Sequence, residues 1–479
     1  MVFSSLLFVF AFLVPQLFLY FLVKNNRARN IILLVFSLVF YAFGGPKYLI
    51  LLVFEAFMSW FTAREIGRSS FNKMKKRWLI MELVSLFSLL VVFKYLSFIL
   101  TNVKLLSGWP EVVPEILLPI GISFYTFQLV SYVIDVYRGE VEAQQKYWKV
   151  LLYASLFHQC IAGPIVRYKT VADEIDHREI SVEDVACGIR RFAVGLAKKA
   201  ILANGCAAIA DKLAPENLQQ LSSMPSLSLW LGMAAYMMQI YLDFSAYSDM
   251  AIGMGRMVGF HYLENFDYPY TAGTVQQFWR KWHISLSSFF RDYVYIPLGG
   301  SRKGKGRTYF NMFIVWGLTG LWHGASWNFI LWGLYFFVFL AIERLFLSKL
   351  LEKNIATKII GHIYTLIVVY FGWVLFRFTD FNALLEALKG LLFIGHPAYG
   401  VETASSFINQ AFFLMLSVIA CFPLGRLVQQ KLEDQSLRNG GAVLHLKGFM
   451  DFLTPAVLLC LSVLALVGNS YNPFLYFRF

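Results

Sequence analysis

Val2 to Val23 holds no charged side chain, and apolar runs recur at Ile31 to Gly44, Tyr48 to Ala63, Trp78 to Phe93, Phe329 to Leu345, Ile359 to Phe378, Ala411 to Leu424 and Phe452 to Val467. About 20 apolar residues let an α-helix cross a bilayer. Composition agrees: 58% of the 479 residues are hydrophobic and 15% are charged, against roughly a quarter charged in soluble domains. The chain reads as an all-α polytopic integral membrane protein, a single membrane-embedded domain over residues 1–479. By that length criterion it carries roughly ten to twelve spans.

The formal net charge is +13 at pH 7, yet the basic residues gather in short loops between apolar runs, as orientation in a bilayer requires. Nucleic acid is therefore not an expected partner. Lys24, Arg27 and Arg29 follow the first run, and Arg64, Arg68, Lys73, Lys75, Lys76 and Arg77 follow the third. With both loops cytoplasmic, the turn at Gly45-Pro46 lies outside, and so does the N-terminus. Val2 to Val23 lacks a small-residue cleavage site and reads as a retained span rather than a signal peptide. The expected location is the cell membrane, crossed many times.

Several segments depart from simple spans. Pro119-Ile120-Gly121 interrupts Val112 to Val136, which predicts a kink or break covered by neighbouring helices. Tyr147 to Val166 is short and polar at its end, as a re-entrant piece would be. Asp173 to Arg191 mixes charged and apolar positions like an interfacial helix, and Asn382 to Leu392 is also amphipathic. Gly253, Gly255 and Gly259 lack the spacing and strand–helix setting of a dinucleotide loop, so close helix packing is expected there. Cys160, Cys187, Cys206, Cys421 and Cys460 are scattered with no Cys-x-x-Cys, which suggests neither a disulfide framework nor a metal site.

The chemistry concentrates between Phe278 and Asn328. Taken as one helix, Phe278 to Arg291 places Trp279, His283, Leu286 and Phe290 on one apolar face, with Arg280, Ser287 and Arg291 elsewhere. Taken as a second helix, Asn311 to Asn328 groups His323 with Trp316, Thr319, Ser326 and Trp327, beside a strip formed by Gly317, Gly320 and Gly324. Burial favours a neutral imidazole, the form a general base needs. In a membrane an ionisable group tends to mark a functional path, so His323 and His283 are the candidate catalytic residues. No Cys, Asp or Glu stands at ligand spacing from them, so no metal is expected. Between them Arg302, Lys303, Lys305 and Arg307, with two glycines, suit the phosphates of a cytosolic donor such as coenzyme A. They equally suit a positive-inside loop. Arg280 and Lys281 share that ambiguity, as phosphate holders or as interfacial anchors.

These residues together resemble the membrane-bound O-acyltransferases. The likeness rests on Phe278-Trp279-Arg280-Lys281-Trp282-His283-Ile284-Ser285-Leu286, on Arg291-Asp292-Tyr293-Val294-Tyr295-Ile296-Pro297-Leu298-Gly299-Gly300 and on Leu321-Trp322-His323-Gly324-Ala325. It extends to Pro119 to Phe127 with Gln128, to Ala162-Gly163-Pro164-Ile165, to Tyr241 through Asp249 and to the terminal Pro473 through Phe479. Within the family it is nearest the branch that O-acetylates bacterial alginate.

The resemblance implies a ring of tilted transmembrane helices, with re-entrant and interfacial helices, around a central channel. It implies that the family's near-invariant histidine falls on His323 and its second polar position on His283, within a catalytic block over residues 240–330. Trp279, Trp282, Trp322, Asn328 and Asp243 would line or support the channel. An acetyl group would pass from a cytosolic donor, acetyl-CoA, to an extracytoplasmic polysaccharide, with no permanently bound cofactor. The transfer would be direct, or finished by an extracytoplasmic acetyltransferase or polymer-export partner. The rival within the family is D-alanyl transfer to teichoic acid from a carrier protein. Rivals of other classes are a polytopic transporter or flippase, favoured by the Pro/Gly breaks with Asp243 and Asp249, and a non-catalytic export platform. A transporter leaves the Trp-His-Gly block unexplained.

Overall fold

The computed structural model describes residues 2–110, 112–159, 163–351, 353–439, 442–468 and 471–473. Every regular element among them is helical. The chain sorts into two compact units, residues 1–192 with 248–264, and residues 193–247 with 265–479.

In the first unit, α1 (Pro46–Arg68), α2 (Asn72–Leu90) and α3 (Ile122–Arg138) pack on one another. Glu55, Ser59 and Thr62 fall at spacings of four and three, so they form one stripe of α1. The stripe is fully buried and meets Glu82 of α2 and Thr126 of α3. Ser59 and Thr62 donate to the Glu82 carboxylate at 2.6 and 3.1 Å, and Thr126 donates to Glu55 at 3.0 Å. Hydroxyl donors thus meet carboxylates that would be costly to bury alone. The predicted interruption at Pro119-Ile120-Gly121 is a full break: residues 112–121 contain no helix, and α3 starts at Ile122 after Gly121 in the left-handed region (φ 75°). Asp173 to Arg191 divides between two helices, Tyr168–His177 and Val182–Ala197, where one interfacial helix was expected. Gly253 meets that expectation for close packing, since a Cβ there would lie 2.7 Å from the Gly188 carbonyl oxygen.

The second unit holds the residues of α4 (Ser226–Met257) up to Tyr247. Next come the short helices α5 (Val275–Lys281) and α6 (Ile284–Phe290), then α7 (Lys305–His323), α8 (Trp327–Ile342) and α9 (Ile355–Arg377). α7 and α8 form a tight antiparallel pair. A Cβ on Gly320 would come within 2.3 Å of the Phe329 carbonyl oxygen, and one on Gly333 within 2.3 Å of the Trp316 carbonyl oxygen. Gly320 thus bears out part of the glycine strip, while Gly317 has nothing nearby. Arg377, at the end of α9, is buried and donates to Asp211 and to the Ala214 carbonyl, each at 2.9 Å.

Six helices among the described residues are long and apolar enough to cross a membrane: Asn72–Ser107, Val182–Leu213, Trp327–Leu351, Ile355–Arg377, Thr403–Ala420 and Gly448–Gly468. Among the described residues one shorter apolar helix, Leu7–Leu22, stands beside them. Cys160, Ala162 and residues 474–479 lie outside the described residues.

Candidate active site

The His283 region is not one continuous helix, and this corrects the apolar-face placement. α5 ends at Lys281, Trp282 is extended, and His283 sits in the left-handed region (φ 45°, ψ 55°) before α6 begins. That conformation is uncommon for a residue with a Cβ, costs of order 1–3 kcal/mol, and persists only where the surroundings impose it. Here residues 265–267 run alongside 281–284: the Asp267 N–H donates to the Lys281 carbonyl at 3.0 Å, and the Ile284 N–H to the Asn265 carbonyl at 2.9 Å. α5 is anchored at its other end, where the buried Glu343 carboxylate accepts from the N–H groups of Val275 and Gln276 at 2.6 and 2.9 Å. Acceptors at a helix N-terminus satisfy otherwise unpaired N–H groups.

The second helix also ends earlier than its periodicity suggests. α7 stops at His323, Gly324 is extended, and α8 starts at Trp327. His323 therefore does not share a helix with Ser326 and Trp327. It is the last residue of α7, 7% exposed, at the bend between two helices.

Both histidines are enclosed by aromatic rings and meet a common neighbour. The Trp322 ring lies 5.6 Å from His283 and 4.9 Å from His323. Phe244 meets His283 edge-on at 4.7 Å, while Trp332 and Phe376 meet His323 edge-on at 4.8 and 5.2 Å. The remaining tryptophans extend the same cluster. Trp279 packs against Trp316 and Phe336, each at 4.8 Å, and Trp282 against Trp373 at 4.8 Å. Asn328 is buried near the start of α8 and donates to the Leu375 carbonyl at 3.3 Å, next to Phe376. Asp243, beside Phe244, is buried and ion-paired with Lys199 at 2.9 Å.

His283 lies outside the six candidate spans, and burial pushes its imidazole down to about 3. The ring is neutral at physiological pH, as expected for a desolvated histidine. Its Nδ1 lies 3.1 Å from Asn265 Oδ1 and 3.4 Å from Ser285 Oγ, and its Nε2 has no hydrogen-bond partner among the described residues. Asn265 and Ser285 are site residues the sequence reading missed. Asn265 stands 18 positions before His283 in a loop, and no helical or strand period links positions so placed.

The basic residues stand apart from this cage. Arg302, Lys303 and Lys305 are exposed, as is Arg280, while Lys281 is half-buried and donates to Thr271 at 2.9 Å. Lys305 opens the 19-residue helix that ends at His323, so the tract lies ~27 Å from His323 along the axis at 1.5 Å per residue. A donor held at both places needs a long arm between its phosphates and its thioester.

Comparison with known proteins converges on one family. Residues 51–386 match the membrane-bound O-acyltransferase family. The whole chain aligns with the whole of a probable alginate O-acetylase of Pseudomonas aeruginosa at 35% identity. It aligns with 98% of a peptidoglycan O-acetyltransferase of Helicobacter pylori at 31% identity, again over its full length. A teichoic acid D-alanyltransferase of Bacillus subtilis aligns with 55% of this chain, and with 69% of its own length, at 27% identity. A family match over most of the chain, with apolar helices long enough to span a bilayer, leads to one conclusion: this protein belongs to the membrane-bound O-acyltransferases and is an acyl-transferring enzyme of the membrane.

Proposed function

We propose that this protein takes an acetyl group from acetyl-CoA on the cytosolic side and passes it across the membrane for O-acetylation of an extracytoplasmic polysaccharide. The acceptor hydroxyl receives it directly or through an extracytoplasmic partner enzyme. In this reading the protein is a ring of ten to twelve tilted spans around a central channel, with the N-terminus outside and the Arg302 to Arg307 tract in the cytosol. The observation that carries the proposal is the convergence of His283 and His323 on Trp322 within a cage of aromatic rings.

His323 removes the proton of the attacking hydroxyl as its oxygen bonds to the thioester carbonyl carbon. The tetrahedral intermediate collapses, the carbon–sulfur bond breaks, and the proton passes to the departing thiolate. His283 positions the thioester or the acceptor. Arg302, Lys303 and Lys305, with Arg280 and Lys281, hold the donor's phosphates. The aromatic cage excludes water, which strengthens each electrostatic contact and suppresses hydrolysis of the thioester. Full-length similarity to O-acetylating relatives supports acetyl over D-alanyl transfer, since the D-alanyl relative aligns with only 55% of this chain.

The test is purified protein in liposomes with radiolabelled acetyl-CoA, the polymer and candidate partners. Label should move from donor to acceptor with the parent protein and fall to background with His323→Ala. Transfer at the parental rate by His323→Ala would sink the assignment of His323. No thioester cleavage by the parent, with every partner supplied, would sink acetyl-CoA as donor.

A further inference from the structure

Of the hydrogen bonds around the site, those at Asn265 specify the most. Its Oδ1 accepts from the Ser285 backbone N–H at 3.2 Å and from the Ser285 hydroxyl at 2.8 Å. A backbone N–H can only donate, so the atom facing it is the amide oxygen, and the orientation of the Asn265 side chain is set. The same oxygen lies 3.1 Å from His283 Nδ1. An amide oxygen can only accept, so a neutral His283 carries its proton on Nδ1 and its lone pair on Nε2. Nε2 is buried and has no partner among the described residues. Asn265 is itself fully buried, and its backbone carbonyl accepts from Ile284, the residue after the left-handed His283.

We propose that Asn265 is a positioning residue, which fixes His283 as the Nδ1–H tautomer and so presents Nε2 as the hydrogen-bond acceptor for the reacting groups. This rests on the reading of His283 as a site residue and gives it an atomic role: Nε2 receives a hydrogen bond from an N–H or a second hydroxyl of the bound donor or acceptor and so orients it, leaving the proton of the attacking hydroxyl to His323. The opposite tautomer would place a lone pair against the Asn265 oxygen and offer a donor where an acceptor is needed. A buried polar atom without a partner is expensive in a finished structure, and a substrate hydroxyl would satisfy Nε2. The titratable groups on the elements around His283 already have partners or face elsewhere. Asp243 is paired with Lys199, Asp267 lies 3.4 Å from Arg426, Lys281 donates to Thr271, and His323 packs edge-on against Trp322.

The test uses the full chain in liposomes with acetyl-CoA and acceptor, comparing Asn265→Ala, Asn265→Asp and His283→Ala across a pH series. Asn265→Ala should lower kcat about 10–100-fold with little change in donor KM, as loss of an orienting partner typically does. Asn265→Asp keeps an acceptor for all three donors, so it should restore most of the rate. Its carboxylate favours the imidazolium, so the acid limb of its pH profile should move to higher pH. If the alanine variant does not fold, the aspartate variant carries the test through that limb. Parental kcat in Asn265→Ala, or an unmoved limb in Asn265→Asp, would overturn the proposal while His283→Ala stays inactive. Parental kcat in His283→Ala would instead overturn the reading of His283 on which it rests.

Discussion

Two buried histidines, one in each unit, share most of their properties and differ in which tautomer their hydrogen-bond partners allow. His158 in the first unit is fully buried, its Nδ1 lies 3.1 Å from the Tyr262 hydroxyl, and its Nε2 has no partner among the described residues. His283 in the second unit has the same inventory with Asn265 in place of Tyr262. Burial pushes both imidazoles down to about 3, with the Arg178 cation adding to the effect at His158. A phenol hydroxyl can donate or accept, so it leaves the tautomer of His158 open, whereas an amide oxygen can only accept. Desolvation makes a histidine neutral, but its hydrogen-bond partner decides which nitrogen carries the proton and which the lone pair. His283 also sits in a strained left-handed conformation, of the kind that collects at functional sites.

The largest expected effect separates the units outright. His323→Ala should lower transfer about 10²–10⁴-fold, the range for a lost general base, with normal insertion in the membrane. His158→Ala should leave the rate per folded molecule near the parental value. Equal loss of rate in both, measured by labelled acetyl transfer against folded protein, would erase the distinction. The next pair uses glycine. Gly320→Ala and Gly253→Ala each force a Cβ to within 2.7 Å or less of a backbone oxygen, and overpacking of this kind costs about 1–3 kcal/mol. Thermal unfolding should show similar losses in both. Only Gly320→Ala should also slow transfer, because its helix carries His323.

A smaller effect lies in acid stability. His158 has a native value near 3 and an unfolded value of about 6.5, so below the unfolded value the unfolded chain binds the extra proton. Neutral His158 therefore costs no stability above that value and progressively more as pH falls toward 3. His158→Gln should flatten the acid-side fall in Tm, measured by thermal scans down the pH range, and an unchanged slope would contradict the burial argument. The smallest effect belongs to the exposed tract. Alanine at Arg302, Lys303 and Lys305 should weaken donor binding by about 1 kcal/mol or less per residue. The effect should appear as a raised donor KM that fades at high salt, with kcat unchanged.

Much of this was legible in the chain. The apolar runs announced a helical membrane protein, Pro119-Ile120-Gly121 announced a break, and Gly253 announced a close helix crossing. His283 and His323 stood out because titratable groups are rare in such surroundings. The exact helix ends were not legible. Residues 278–291 hold an apolar period of 3.6 throughout, yet the helix stops before His283, because the antiparallel hydrogen bonds from Ile284 to Asn265 and from Asp267 to Lys281 outweigh local propensity. The same period ran past His323, where the close approach of α7 and α8 at Gly320 and Gly333 imposes the bend instead.

What the sequence determined by itself was the solvent the protein lives in and the residue types of its site. Hydropathy and charge placement are sums over local residues, and a motif is a local string. The tertiary structure alone decided that Trp322, already beside His323 in the chain, also meets His283, and that Asn265 reaches His283. Those are distances between segments far apart in the chain, and they exist only once the helices have packed.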